Sequence, residues 1–112
     1  MADPAGPTIS THVLDTERGV PAQGVRVTLS RLDVGSAPIR MTQALTDADG
    51  RVRDLLERPL QLGDYRLEFD VGHPDGAFFT KIALDLHVED TSRSYHVPLL
   101  LSPYAMTTYR GS

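Results

Sequence analysis

The chain has 112 residues and a formal net charge of −4 with no run of like charge, which argues against a nucleic-acid surface or a membrane-binding face. It contains no cysteine, which excludes disulfides, thiolate nucleophiles and thiolate metal ligands and fits a reducing compartment. One domain with one ordinary core is expected at this length, and no apolar run approaches the ~20 residues of a membrane span.

Residues 1–7 read as a flexible lead, with neither the basic nor the apolar region of a signal peptide. A single domain is expected over 8–112. Thr8 to Leu14 is the first strand, with Ile9, Thr11 and Val13 on one face and Ser10, His12 and Leu14 on the other. Asp15 to Pro21 is a loop broken by Gly19 and Pro21. Val25, Val27 and Leu29 alternate with Arg26, Thr28 and Ser30 in a second strand. A turn over Asp33 to Pro38 leads to a third strand, Ile39 to Thr46, interrupted by Gln43. Asp47-Ala48-Asp49-Gly50 is an Asp-Gly turn, followed by a short strand over Arg51 to Leu56. Tyr65, Leu67, Phe69 and Val71 alternate with Arg66, Glu68 and Asp70, the clearest half-buried strand of the chain. Gly72 to Gly76 is a loop, and Ile82, Leu84, Leu86 and Val88 mark the next strand.

The final stretch is richer than most chain ends. Tyr95, Val97, Leu99 and Leu101 form one face of a strand, while His96, Pro98 and Leu100 form the other, so neither face reads as a solvent face. A Ser102-Pro103 turn leads to a second extended run ending in Tyr109-Arg110-Gly111-Ser112. About eight short strands without helical periodicity predict an all-β antiparallel sandwich.

Taken singly, His12 and His96 read as surface or satisfied strand histidines. Both, however, occupy the second face of a strand whose first face supplies the core, and Pro98 and Leu100 beside His96 require an apolar cover. Other site types fit poorly. A serine hydrolase of the Gly-x-Ser-x-Gly type lacks its motif. Histidines at 12, 73, 87 and 96 lack the close spacing of a metal site. Asp47 and Asp49 resemble a calcium loop, but Gly50 comes too early and no glutamate follows at the twelfth position. His73 and His87 read as solvated.

The run His96-Val97-Pro98-Leu99-Leu100-Leu101-Ser102-Pro103 with the terminal Tyr109-Arg110-Gly111-Ser112 resembles the 5-hydroxyisourate hydrolases, the transthyretin-related enzymes of purine breakdown. Ser10-Thr11-His12-Val13-Leu14-Asp15, Thr46-Asp47-Ala48-Asp49-Gly50-Arg51 and Gly63-Asp64-Tyr65-Arg66-Leu67-Glu68-Phe69-Asp70 extend the resemblance over nearly the whole chain. Two departures stand out. The family has a short helix after the Tyr65–Val71 strand, whereas the connection here carries Pro74 and two glycines, so that helix is expected to be shortened or absent. Met106 stands where the family usually has an aromatic residue.

The resemblance implies a transthyretin-like sandwich assembled as a homotetramer, a dimer of dimers, with His12 and His96 lining a groove between subunits. It implies a cytoplasmic cyclic-amide hydrolase of urate degradation that needs no cofactor and no metal. Its partners are its own copies and a small purine-derived substrate, with no nucleic acid and no membrane. His12 and His96 would activate water and shuttle the proton, with their two roles unassigned. Arg51 would act with them as a catalytic residue, binding the substrate's oxygens and the charge that develops there. Arg110, Tyr109, Gly111 and Ser112 would bind substrate. Gly111, able to adopt positive φ, is expected to bend the tail and aim Ser112 inward. The rival on the same fold is a transthyretin-like carrier of small apolar ligands without catalysis.

Overall fold

A computed structural model describes residues 6–72 and 76–111. Most of the expected lead, residues 73–75 with His73 and Pro74, and Ser112 lie outside the described residues. Among the described residues nine strands run in order: β1 (Ile9–Asp15), β2 (Val20–Pro21), β3 (Arg26–Leu32), β4 (Ile39–Leu45), β5 (Arg51–Val52), β6 (Gly63–Asp70), β7 (Lys81–Val88), β8 (Tyr95–Leu101) and β9 (Met106–Thr108). No helix occurs among the described residues.

The strands form two sheets. One has the order β4-β3-β6-β7, antiparallel throughout; the other runs β2-β1-β8-β9, with β5 also paired to β1. Between the sheets lies a core built from the apolar faces that period-two alternation marks. Ile9 and Val13 of β1 and Val97 and Leu99 of β8 meet Val27 and Leu29 of β3 and Tyr65, Leu67 and Phe69 of β6. All of these are buried.

The β1–β8 pairing is parallel, from Ile9↔Tyr95 through Ser10↔His96 and His12↔Pro98 to Asp15↔Leu101. One polar group is buried inside this pair. Thr11 is 1% exposed, and its hydroxyl donates to the Val97 carbonyl at 2.6 Å, which satisfies it.

Two elements differ from the sequence reading. The strand expected over Arg51 to Leu56 ends at Val52. Asp54 accepts a hydrogen bond from the Leu56 amide and closes a turn, while the Leu55 amide donates to the Ile9 carbonyl. Leu55 is thereby carried into the core, so burial of one leucine overrides strand propensity. The loop expected over Asp15 to Pro21 contains the two-residue strand β2, which folds back so that Leu14 pairs Pro21 and Asp15 pairs Val20.

The Asp47–Gly50 turn holds β5 against β1. Asp47 accepts from the amides of Asp49 and Arg51, both at 2.9 Å, and those backbone donors hold its carboxyl below the usual carboxylate range. Gly50 adopts φ 76°, and its carbonyl receives the Val13 amide at 2.7 Å. A Cβ at Gly50 would run into the Val13 carbonyl oxygen. Gly50→Ala is therefore expected to destabilise the fold by roughly 2 kcal/mol or more, the left-handed backbone alone accounting for ~1–2 kcal/mol. A denaturant midpoint equal to that of the wild type would show that this turn does not constrain the sheet.

Candidate active site

The outer face of the β1–β8 sheet carries the candidate site. Ser10 and His12 leave β1 on this face, and His96 and Pro98 leave β8 beside them. Arg51 pairs directly with His12 across the β1–β5 ladder. His12, Arg51 and His96 are each half-buried, unusual for side chains on an outer sheet face.

His96 is held on several sides. Its Nδ1 lies 2.8 Å from the Ser10 hydroxyl oxygen. Its carbonyl accepts the Gly111 amide at 2.7 Å, closing an isolated antiparallel bridge. A Cβ at Gly111 would lie 2.8 Å from the His96 ring carbon Cδ2, so only glycine fits there without displacing the ring. Gly111 does not adopt positive φ, which corrects the expected reason for a glycine. Close approach to an imidazole explains it, not a left-handed bend.

The tail leaves β8 at a defined point. Pro98 has no N–H to donate, and its carbonyl accepts the Thr108 hydroxyl at 2.8 Å instead. Tyr109 and Arg110 lie outside the ladder, which resumes only at Gly111. Tyr109 and Arg110 border a groove at the open edge of the sandwich with Leu84, Leu86, His87 and Val97. A single chain thus gathers His12, Arg51, His96 and Gly111 on one face, whereas Tyr109 and Arg110 border a groove that Tyr95 and Val97 line from the core-facing side of β8.

Electrostatics separate the described histidines. His96 has its pKa lowered, first by burial and then by the charges of Arg51 and His12. His87, on the outer face of the other sheet, has its pKa raised by its hydrogen bond to Asp64 at 2.6 Å. Among the described residues no group of three or more histidines and carboxylates stands where it could hold a metal ion. No helix among them is long and apolar enough to cross a membrane.

Ser10 is the site residue that sequence reasoning passed over. Alternation placed it on the His12 face. Its value lies in the pairing Ser10↔His96 across 86 residues of chain, which no local pattern announces.

Fold and face together define a transthyretin-type sandwich whose outer sheet face bears two histidines and an arginine instead of a smooth apolar surface. The HIUase/Transthyretin family profile matches residues 9–111, and the chain belongs to this family. It is 44% identical over 116 residues to the 5-hydroxyisourate hydrolase of Deinococcus radiodurans, covering 95% of this chain and 97% of that one. It is 41% identical over 113 residues to the 5-hydroxyisourate hydrolase of Caulobacter vibrioides, covering 93% and 97% of the two chains. Among solved structures, Klebsiella pneumoniae 5-hydroxyisourate hydrolase superposes with a TM-score of 0.82 at 34% identity, over 95% of this chain and 99% of that one. Sea bream transthyretin in complex with thyroxine superposes with a TM-score of 0.84 at 26% identity, over 92% and 93%.

The opposite pKa shifts have opposite consequences. Below pH 6.5 the unfolded chain protonates its histidine at position 96 more readily than the fold does, so this group removes stability as pH falls through that range. His87 favours the fold below pH 6.5, and its contribution disappears as pH rises through its raised pKa. An NMR titration is expected to give His96 a midpoint below 6.5 and His87 one above it. Arg51→Ala should move the His96 midpoint upward and leave His87 in place. A His96 midpoint unmoved by that substitution would separate Arg51 from the site.

Proposed function

We propose that the chain hydrolyses 5-hydroxyisourate, opening its six-membered ring to 2-oxo-4-hydroxy-4-carboxy-5-ureidoimidazoline in urate breakdown. The observation that carries this reading is the gathering of His12, Arg51 and a neutral-biased His96 on one sheet face. The family relationship supplies the substrate.

The chemistry follows from these groups. His96, favoured neutral at pH 7, offers a free ring nitrogen to a water proton. As that proton transfers, the water oxygen bonds to the ring amide carbon and the carbonyl electrons move onto oxygen. Arg51 is assigned to that oxygen, where a fixed cation stabilises the developing charge without reorganising. Its planar fork suits a substrate rich in oxygen and nitrogen edges better than an ammonium would. When the carbon–nitrogen bond breaks, the departing nitrogen takes the proton first drawn from water, a transfer assigned to His12 and His96 together. Arg110 is assigned to the substrate's oxygens, and Tyr109 and Ser112 to the pocket wall.

The functional unit in this reading is a cytoplasmic homotetramer, a dimer of dimers in which the His12/His96 face closes against another copy. Half-buried Leu100, an apolar side chain on the His96 face, supports such a cover. The transthyretin-like carrier is the rival, since the fold superposes equally well on a thyroxine-binding transthyretin. An apolar-ligand channel would desolvate the polar edges of two histidines and an arginine against an apolar ligand, which is costly.

Purified protein added to freshly made 5-hydroxyisourate should accelerate its spectral decay, and decay at the background rate would favour the carrier. His12→Ala and His96→Ala are each expected to lower the rate by roughly 10²–10⁴ while light scattering still reports a tetramer. Near-full activity in either variant would remove that histidine from the mechanism, and a monomer would remove the groove.

Deleting residues 109–112 should abolish turnover and leave the circular dichroism of the sandwich intact. The core contributed by this strand, Val97 and Leu99, lies upstream. Retained turnover would send Arg110 back to the solvent.

A further inference from the structure

We propose that Ser10 and Gly111 form a two-sided clamp on His96, in which the Ser10 hydroxyl oxygen accepts a hydrogen bond from Nδ1–H and so leaves Nε2 as the basic nitrogen. The inference rests on the preceding reading of His96 as the base, and it assigns Ser10 as a positioning residue for that reaction.

The geometry comes from two separate constraints on one ring. Ser10 lies 2.8 Å from Nδ1 and is fixed to His96 by direct pairing of their backbones in the parallel β1–β8 ladder. Gly111 abuts the Cδ2 edge, where even a methyl group would stand at 2.8 Å. The Gly111 amide bond to the His96 carbonyl keeps that wall in place. An imidazole has two soft torsions, and these contacts restrain the ring from two different edges.

The protonation argument is chemical. The hydrogen bond made by one ring nitrogen determines which nitrogen carries the proton in the neutral ring. A hydroxyl can donate or accept. If it donated to Nδ1, it would occupy the lone pair of the neutral ring and leave Nε2 protonated, unable to take a proton from water. If it accepts from Nδ1–H, Nε2 is free, and the same hydrogen bond persists unchanged when Nε2 gains its proton. Only the accepting arrangement serves a base through the whole step.

Gly111 therefore acts on the ring, not on the substrate. The resemblance places Gly111 among the substrate-binding residues. Its contact is with the group that would do the chemistry.

The test combines kinetics with nitrogen-15 NMR on the full chain. His96 in the wild type should show Nδ1 protonated and Nε2 unprotonated at neutral pH. Ser10→Ala should mix the two tautomers and lower kcat by about 10²-fold, the scale of a small misplacement of a reacting group, with little change in KM. Ser10→Thr, which keeps the hydroxyl, should recover most of the rate. Gly111→Ala should lower kcat and shift the His96 ring signals in the same direction. A wild-type His96 protonated at Nε2, or a Ser10→Ala kcat within twofold of wild type while His96→Ala is inactive, would overturn the clamp alone. Full activity in His96→Ala would overturn the base assignment and the clamp with it. Circular dichroism on each variant separates both outcomes from loss of fold, and the tautomer signal reads the clamp without reference to turnover.

Discussion

The parallel pairing of β1 with β8 is the constraint on which the rest of this molecule depends. It joins residues 9–15 to residues 95–101 in an unbroken register, sealed inside by the buried Thr11–Val97 hydrogen bond. Side chains alternate with a period of two, so a slip of one residue would turn every core side chain outward. The same slip would turn His12 and His96 into the core. Burial of Ile9, Val13, Val97 and Leu99 therefore fixes the orientation of the polar face as well. The register of this one pair thus decides which face both histidines occupy.

Around this pair the other elements act as supports. The second sheet supplies the opposing half of the core through Val27, Leu29, Leu67 and Phe69. Its outer face is a ladder of exposed ion pairs, Arg66 with Asp85, Lys81 with Glu68 and His87 with Asp64. Exposed pairs of this kind contribute ~0–1 kcal/mol each and chiefly keep that face hydrated. The two outer faces thus differ in kind, one carrying compensated charge and the other half-buried histidines, arginine and leucine.

Much of this was legible in the sequence because alternation is a local signal. Tyr65–Val71 and Tyr95–Leu101 announced their faces residue by residue, and His12 and His96 were placed on the correct face before any partner was known. The truncation of β5 was hidden, because Leu55 reaches the core through a turn set by Asp54, and strand propensity cannot see where a chain will be pulled. Ser10 was hidden for a different reason: its importance depends on a register between segments 86 residues apart. Gly111 was marked as special, but for backbone freedom, when contact with a distant ring was the cause. The placement of Arg110 beside the β7 edge required the parity of the tail, which the Pro98 gap makes hard to count.

Pro98 has one more consequence, for the order in which the molecule comes apart. A proline within a central strand leaves the ladder between β8 and the tail interrupted, so beyond Thr108 the described residues are tied to β8 by a single backbone hydrogen bond. Lifting that segment costs about 1 kcal/mol of hydrogen bonding plus the ring contact, far below the ~5–15 kcal/mol of opening a whole domain. The terminal residues and the sandwich are accordingly separate cooperative units. Amide exchange is therefore expected to be faster at Gly111 than at Thr11, and mild denaturant is expected to release His96 from one of its walls while both sheets stand.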